Sequence, residues 1–283
     1  MNVIICGNGH GIECIYDGLV NKCKTLILCT ETEELISRAK SDGVRTVAHY
    51  LEAIENEKDI VLTAAYKPKI SEQDLKKARF INIHYALLPR FRGMHAIVWA
   101  ILNGEKQVGF TVHETAKLLD QGPVVYQESV EIDSNTSWEL MEKIDELVKA
   151  RIGDVLEQYR NYEIQPVAQN DEDAIYVAPR NLTDCEVKWD SWDVTFFKRV
   201  KQALVPPYPR PYFIYNDKMV ELSSFSVIER DYIEINGHVV YIDDDYVYVK
   251  IVGGLLCIED ISIDGEHHKA IEVFKRIGIR FND

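Results

Sequence analysis

Four short apolar runs, each followed by a stretch of helical texture, set the tightest limit on how this chain folds. Val3 to Cys6, 25–30 ("TLILCT"), 59–66 ("DIVLTAAY") and 79–84 ("RFINIH") read as buried strands, since runs this apolar offer water no polar face. Between them lie a helix from about Gly11, a second in "TETEELISRAKSDG" with Thr30 or Thr32 as cap, and a third opening at Ser71. Strands alternating with helices predict an α/β fold, a Rossmann-like, doubly wound and mostly parallel sheet. Beyond it, a helix is expected from Met94 to Asn103, strands in "VGFTVHET" and "GPVVYQESVEI", and a long helix over 136–159 capped by Ser134 or Thr136.

The texture then changes. "VTFFKRVKQALV" reads as one more helix, stopped by "PPYPRP", and short alternating strands follow from Tyr212, separated by Gly and Asp turns. This predicts a smaller C-terminal β-rich, OB-like domain. The expected division is 1–185 for the α/β domain and 186–283 for the linker helix and β domain.

At 283 residues with 46% apolar content the chain can bury a real core. A net charge of −14 argues against capture of nucleic acid through its phosphates, though one local cationic pair still suffices for a small anion. The six cysteines (Cys6, Cys14, Cys23, Cys29, Cys185, Cys257) form no C-x-x-C pair and are expected as buried free thiols. No signal peptide is read before the first strand, and no apolar run approaches the ~20 residues of a membrane span. A soluble cytoplasmic protein, engaging neither nucleic acid nor membrane, is the expectation.

"GNGHG" (7–11) after the first strand suggests a dinucleotide fingerprint, but Ile12 stands where G-x-G-x-x-G needs its third glycine. A glycine turn that starts a helix close to the sheet is the better reading.

The chemistry concentrates between Phe80 and Val125, a segment without Cys or Ser. Asn82 and His84 are two apart on a strand, so they share a face, at the carboxyl end where open parallel sheets bind ligands. An Asn amide can donate to a developing oxyanion, a His can donate or accept, and a carboxylate such as Asp120 would orient that His and stabilise its charged form. Together they suit attack on a carbonyl by a nucleophile that the substrate brings. Histidines 84, 95 and 113 match no zinc spacing, so no metal is expected.

N-I-H-x-x-L-L-P-x-x-R-G, followed by W-A-I-L-N-G, T-V-H and L-D-Q-G-P, resembles the formyltransferases that use N10-formyltetrahydrofolate. The resemblance implies a catalytic set of Asn82, His84 and Asp120 and a donor site at Tyr66, Lys67, Pro68, Ala86, Leu87, Leu88, Pro89 and Leu118. Ala86 stands where Ser is common in that family. His113 occupies a recurrent T-x-H position and is expected to play a supporting part.

The second half resembles the extension shared by the tRNA and amino-sugar enzymes, with Lys201-Gln202-Ala203 where Arg-Ala is usual. It sets aside the purine-pathway enzymes. Charge separates the remaining two: a tRNA needs a basic channel, and here "RFRGMHAIVW" runs into a helix without a basic insertion. A nucleotide-linked amino sugar is the expected acceptor, with methionyl-tRNA as the alternative, a silent folate- or nucleotide-binding protein as another class, and a dinucleotide reductase third. Arg92, Met94, His95, Tyr208 and Tyr212 are the expected substrate contacts, with Lys188, Lys201 and Arg210 as further anion anchors and Trp189 and Trp192 as stacking surfaces. By resemblance the protein is a homodimer.

Overall fold

A computed structural model describes residues 2–281. The chain divides into two compact units, one of residues 1–97, 106–132 and 139–178, the other of 98–105, 133–138 and 179–283. The main crossing thus falls between Ala178 and Pro179, and two short stretches of the N-terminal half cluster with the second unit.

The first unit carries β1 (Val3–Gly7), α1 (His10–Leu19), β2 (Leu26–Cys29), α2 (Glu33–Ser41), β3 (Arg45–Val47), β4 (Ile60–Ala64) and β5 (Arg79–His84). Next come β6 (Arg92–Gly93), α3 (Ala96–Asn103), β7 (Gln107–Glu114), β8 (Val124–Glu131), α4 (Ser137–Arg160) and β9 (Tyr176–Val177); α3 and α4 run across the boundary. The sheet order is β3-β2-β1-β4-β5-β7-β8. Its first five strands are parallel, as the strand–helix alternation predicts. β7 then runs antiparallel to β5, and β8 antiparallel to β7, at the end of the sheet. β1 and β4 are buried along their whole length, which explains their unbroken apolar runs. One cluster of the core joins Ile4, Cys6, Ile27, Cys29, Val61 and Phe80 with Tyr50, so these two cysteines are packing residues.

The expected helix at Ser71 is a correction. Only a 3₁₀ turn forms, Asp74–Lys76. The Ser71 hydroxyl donates to Asp74 Oδ2 at 2.7 Å and accepts from the Asp74 amide at 3.1 Å, closing a tight turn instead of a longer helix. β3, three residues at the sheet edge, carries too short a pattern to be read in advance.

The second unit contains α5 (Val194–Ala203), β10 (Tyr212–Tyr215), β11 (Lys218–Glu229), β12 (Val239–Ile242), β13 (Val247–Ile251), β14 (Gly254–Ile263), β15 (Glu266–Lys269) and the short α6 (Ala270–Val273). Asp193 caps α5, its carboxylate accepting the Phe196 amide at 2.7 Å. Five strands follow the order β10-β11-β14-β13-β12, with β15 added to β14, all antiparallel. This is the small β-rich domain that the alternating C-terminal pattern predicts.

Candidate active site

Three neighbouring strands place one polar side chain each in a row. Thr63 on β4 pairs with Asn82 on β5, and Asn82 pairs with His113 on β7. The Thr63 hydroxyl donates to Asn82 Oδ1 at 2.8 Å, and Asn82 Nδ2 lies 3.1 Å from His113 Nε2. His113 Nδ1 is 2.9 Å from the Glu114 carbonyl, which can only accept, so Nδ1 carries the ring proton and Nε2 accepts from Asn82. Burial pushes the His113 pKa down to about 4, against the opposing pull of the Asp120 carboxylate, and the ring is neutral at pH 7.

Two residues on from Asn82, at the end of β5, His84 Nε2 donates to the Phe91 carbonyl at 2.8 Å. The other ring nitrogen, Nδ1, faces Asp120 Oδ2 at 3.7 Å. His113 Nε2 stands 3.6 Å from Asp120 Oδ1, so the carboxylate lies between two imidazoles. The next residue, Tyr85, anchors the end of β5: its hydroxyl donates to Asp145 of α4 and lies 3.6 Å from Cys14 Sγ. Burial raises the Tyr85 phenol and keeps it a donor.

Asp120 comes from the turn between β7 and β8 and is buried, with a left-handed φ of 55°. Its Oδ2 accepts the Gly93 amide at 2.9 Å. Gly93 itself sits at φ 118°, where an added Cβ would come 2.1 Å from the Val177 carbonyl, so β6 and β9 meet this closely only with glycine there.

The segment 86–89 is pinned from beneath. Thr111 donates its hydroxyl to the Ala86 carbonyl at 2.6 Å and accepts from the Leu88 amide at 3.2 Å, while Gln127 donates to the Leu88 carbonyl at 3.0 Å. Ala86 and Leu88 are buried, Leu87 and Pro89 half-buried. Tyr66 packs edge-on against Tyr50, and burial lifts its phenol to about 12; Lys67 and Pro68 are exposed. Nearby, Lys69, Ile70, Ser71, Glu72, Gln73, Lys117 and Leu118 line a groove of about 470 Å³. Leu118 and Leu119 are 57% and 67% exposed.

The expected substrate contacts fare less evenly. Arg92 is enclosed, its side chain 0% exposed, and each of its three nitrogens is engaged in the first unit. Nε and NH2 reach Gln169 Oε1 at 3.0 and 2.8 Å, NH2 also Asp171 at 2.8 Å, and NH1 the Tyr176 hydroxyl at 2.7 Å. An arginine so committed ties the fold together instead of waiting for an anion. Met94 is exposed and His95 half-buried, with φ 59°. Tyr212, Trp189 and Trp192 are core residues of the second unit, which corrects their reading as open contact surfaces. Trp189 packs on Phe213 and Phe281, and Trp192 on Phe196 and Phe197. Tyr208 and Arg210 are half-buried in the same unit; Lys188 pairs with Glu186 at 2.9 Å, and Lys201 lies over the Phe225 ring. Among the described residues no group of three His, Cys, Asp or Glu is arranged to hold a metal.

Amide, imidazole and carboxylate at the carboxyl edge of a parallel sheet suit an enzyme that moves an acyl group between two substrates. Residues 21–156 match the formyl transferase family and residues 181–277 match its C-terminal domain, so this chain belongs to that family and is a formyltransferase. The methionyl-tRNA formyltransferase of Thermosipho melanesiensis is 33% identical over 220 residues, 76% of this chain and 70% of that one. That of Alkaliphilus oremlandii is 28% identical over 232 residues, 80% and 71% of the two chains. By structure, a sugar 3N-formyltransferase (WlaRD), crystallised with dTDP and 5-N-formyltetrahydrofolate, superposes with a TM-score of 0.73 at 16% identity, covering 94% of this chain and 98% of that one. An N-formyltransferase from Helicobacter canadensis, in complex with folinic acid and dTDP-3-aminofucose, gives 0.72 at 15% identity, covering 92% and 99%.

Proposed function

We propose that the enzyme transfers the formyl group of N10-formyltetrahydrofolate to the primary amine of a nucleotide-linked amino-dideoxy sugar, a precursor of O-antigen or another surface polysaccharide. The chemical half of this reading rests on the convergence of Asn82, His84 and Asp120. With its Nε2 proton given to the Phe91 carbonyl, His84 has Nδ1 as its basic atom, and this atom takes the proton of the attacking amine. The imidazolium so formed faces Asp120, which stabilises it. Asn82 spends one N–H on His113, and its second N–H meets the oxyanion of the tetrahedral intermediate. The C–N bond to the folate then breaks, N10 takes the proton back from His84, and a formamide and tetrahydrofolate leave.

For the donor, the reading assigns the pinned segment 86–89, Tyr66-Lys67-Pro68 and the groove beside Leu118. The exposed leucines suit an aromatic pterin carrier, and Lys69 and Lys117 suit its carboxylate tail.

For the acceptor, two observations favour the sugar. The net charge of −14 opposes a polyanionic tRNA, and α3 begins at Ala96, directly after the site, with no basic insertion. The sequence relatives favour the second reading, methionyl-tRNA, since those named above act on it. Assaying nucleotide-linked 3- and 4-amino sugars beside initiator methionyl-tRNA separates the two. Formylation of a sugar, with negligible salt-sensitive tRNA binding, is expected; formylation of the tRNA alone refutes it. The reading includes a cytoplasmic homodimer, checked by sedimentation and cell fractionation.

A further inference from the structure

Asp120 occupies a backbone conformation that non-glycine residues hold only when their surroundings impose it. What imposes it is Gln169. Its Nε2 donates to the Asp120 carbonyl at 2.8 Å and to the Gly122 carbonyl at 2.7 Å, spanning both ends of the Asp120-Gln121-Gly122 turn with one amide. The turn also packs closely on the end of β7, since a Cβ on Gly122 would lie 1.6 Å from the Glu114 carbonyl.

The amide's own orientation is fixed in turn. Arg92 directs Nε and NH2 at Gln169 Oε1, and since a guanidinium can only donate, the Gln169 NH2 group must face the two carbonyls. Arg92 is followed by Gly93, whose amide holds the Asp120 carboxylate. A single short strand therefore fixes both ends of Asp120, its side chain directly and its backbone through Gln169.

From this geometry we infer that Gln169 is a positioning residue, which sets the Asp120 carboxylate against His84 and His113 while remaining outside the reacting atoms. The inference rests on the proposed role of Asp120. It needs no ligand, and the buried arginine finds its use here.

Gln169→Glu tests it, because the glutamate keeps an acceptor for Arg92 but removes both donors to the turn. Turnover is measured with N10-formyltetrahydrofolate and whichever acceptor, dTDP-3-aminofucose or initiator methionyl-tRNA, the wild-type enzyme formylates. The expected result is a fall in kcat of about ten- to a hundredfold, a 1 Å misplacement being worth up to about 10², with the donor KM within about threefold of wild type. In an Asp120→Ala background the same substitution should cost nothing further, since it acts through that carboxylate. Asp171→Ala, which removes one partner of Arg92 but leaves Gln169 and the turn bonded, should stay near the wild-type rate. Wild-type kcat in Gln169→Glu, or a loss that multiplies with that of Asp120→Ala, overturns the inference. Gln169→Met, of matching length, repeats the comparison if the glutamate variant does not fold. Should Asp120→Ala itself turn over normally, the reading of the site fails instead, and the two failures are distinct.

Discussion

Asn82 reaches the site on a strand and Asp120 on a turn, and the two are held there by opposite means. Register alone gives Asn82 its neighbours: Thr63 and His113 are its partners across β4 and β7, and both bond to it. Nothing comparable holds Asp120, whose place depends on the Gly93 amide and the Gln169 side chain, from chain segments far apart in sequence. A sheet supplies geometry to its residues collectively, whereas a turn must be fastened bond by bond. The strand half should therefore tolerate loss of a neighbour better than the turn half.

The comparison breaks first at Asp120. Asp120→Asn keeps an acceptor for the Gly93 amide but removes the charge that faces His84. Turnover should drop by about 10²–10⁴, the range for disabling acid–base catalysis, with the melting temperature little changed. On the strand side, Asn82→Ala should cost about 10²–10³ in kcat as a lost oxyanion donor. Thr63→Val keeps that donor and only frees its orientation, so the loss should be about five- to tenfold, the kinetic equivalent of roughly 1 kcal/mol. A Thr63→Val rate as low as that of Asn82→Ala would show that the strand row is as fragile as the turn.

The smallest effect is on stability. His113 takes a proton near 6.5 when unfolded but resists until about 4 when folded, because it is buried beside Asn82. Between these values the unfolded chain binds more protons, so stability falls as pH drops through the window and is fully present above it. Thermal melts from pH 7 to 4 should show this slope in the wild-type protein and a shallower one in His113→Gln.

How far the sequence reveals all this depends on distance along the chain. The i, i+2 spacing of Asn82 and His84 places both on one face, and the alternation of strands and helices announces the sheet beneath them. The bond from Asn82 to His113 is hidden, because it requires knowing that β7 lies antiparallel beside β5. Gln169 lies 49 residues from the carbonyl it holds, in a loop without periodicity, and no local pattern marks it. Arg92 misleads in the other direction: a lone arginine beside a motif reads as an anion anchor until its three partners are seen to enclose it. Tyr212, Trp189 and Trp192 mislead likewise, since an aromatic that packs a core and one that stacks on a ligand are written alike.

The central claim is that His84, neighboured by Asp120, moves the proton in a formyl transfer from folate to amine. Its most direct test is acceptor-dependent release of tetrahydrofolate from N10-formyltetrahydrofolate by wild-type and His84→Ala enzymes at saturating donor. Wild-type enzyme should release it only when an amine acceptor is present, and His84→Ala should do so at least about a hundredfold more slowly with donor affinity preserved. Equal rates in the two proteins would contradict the account.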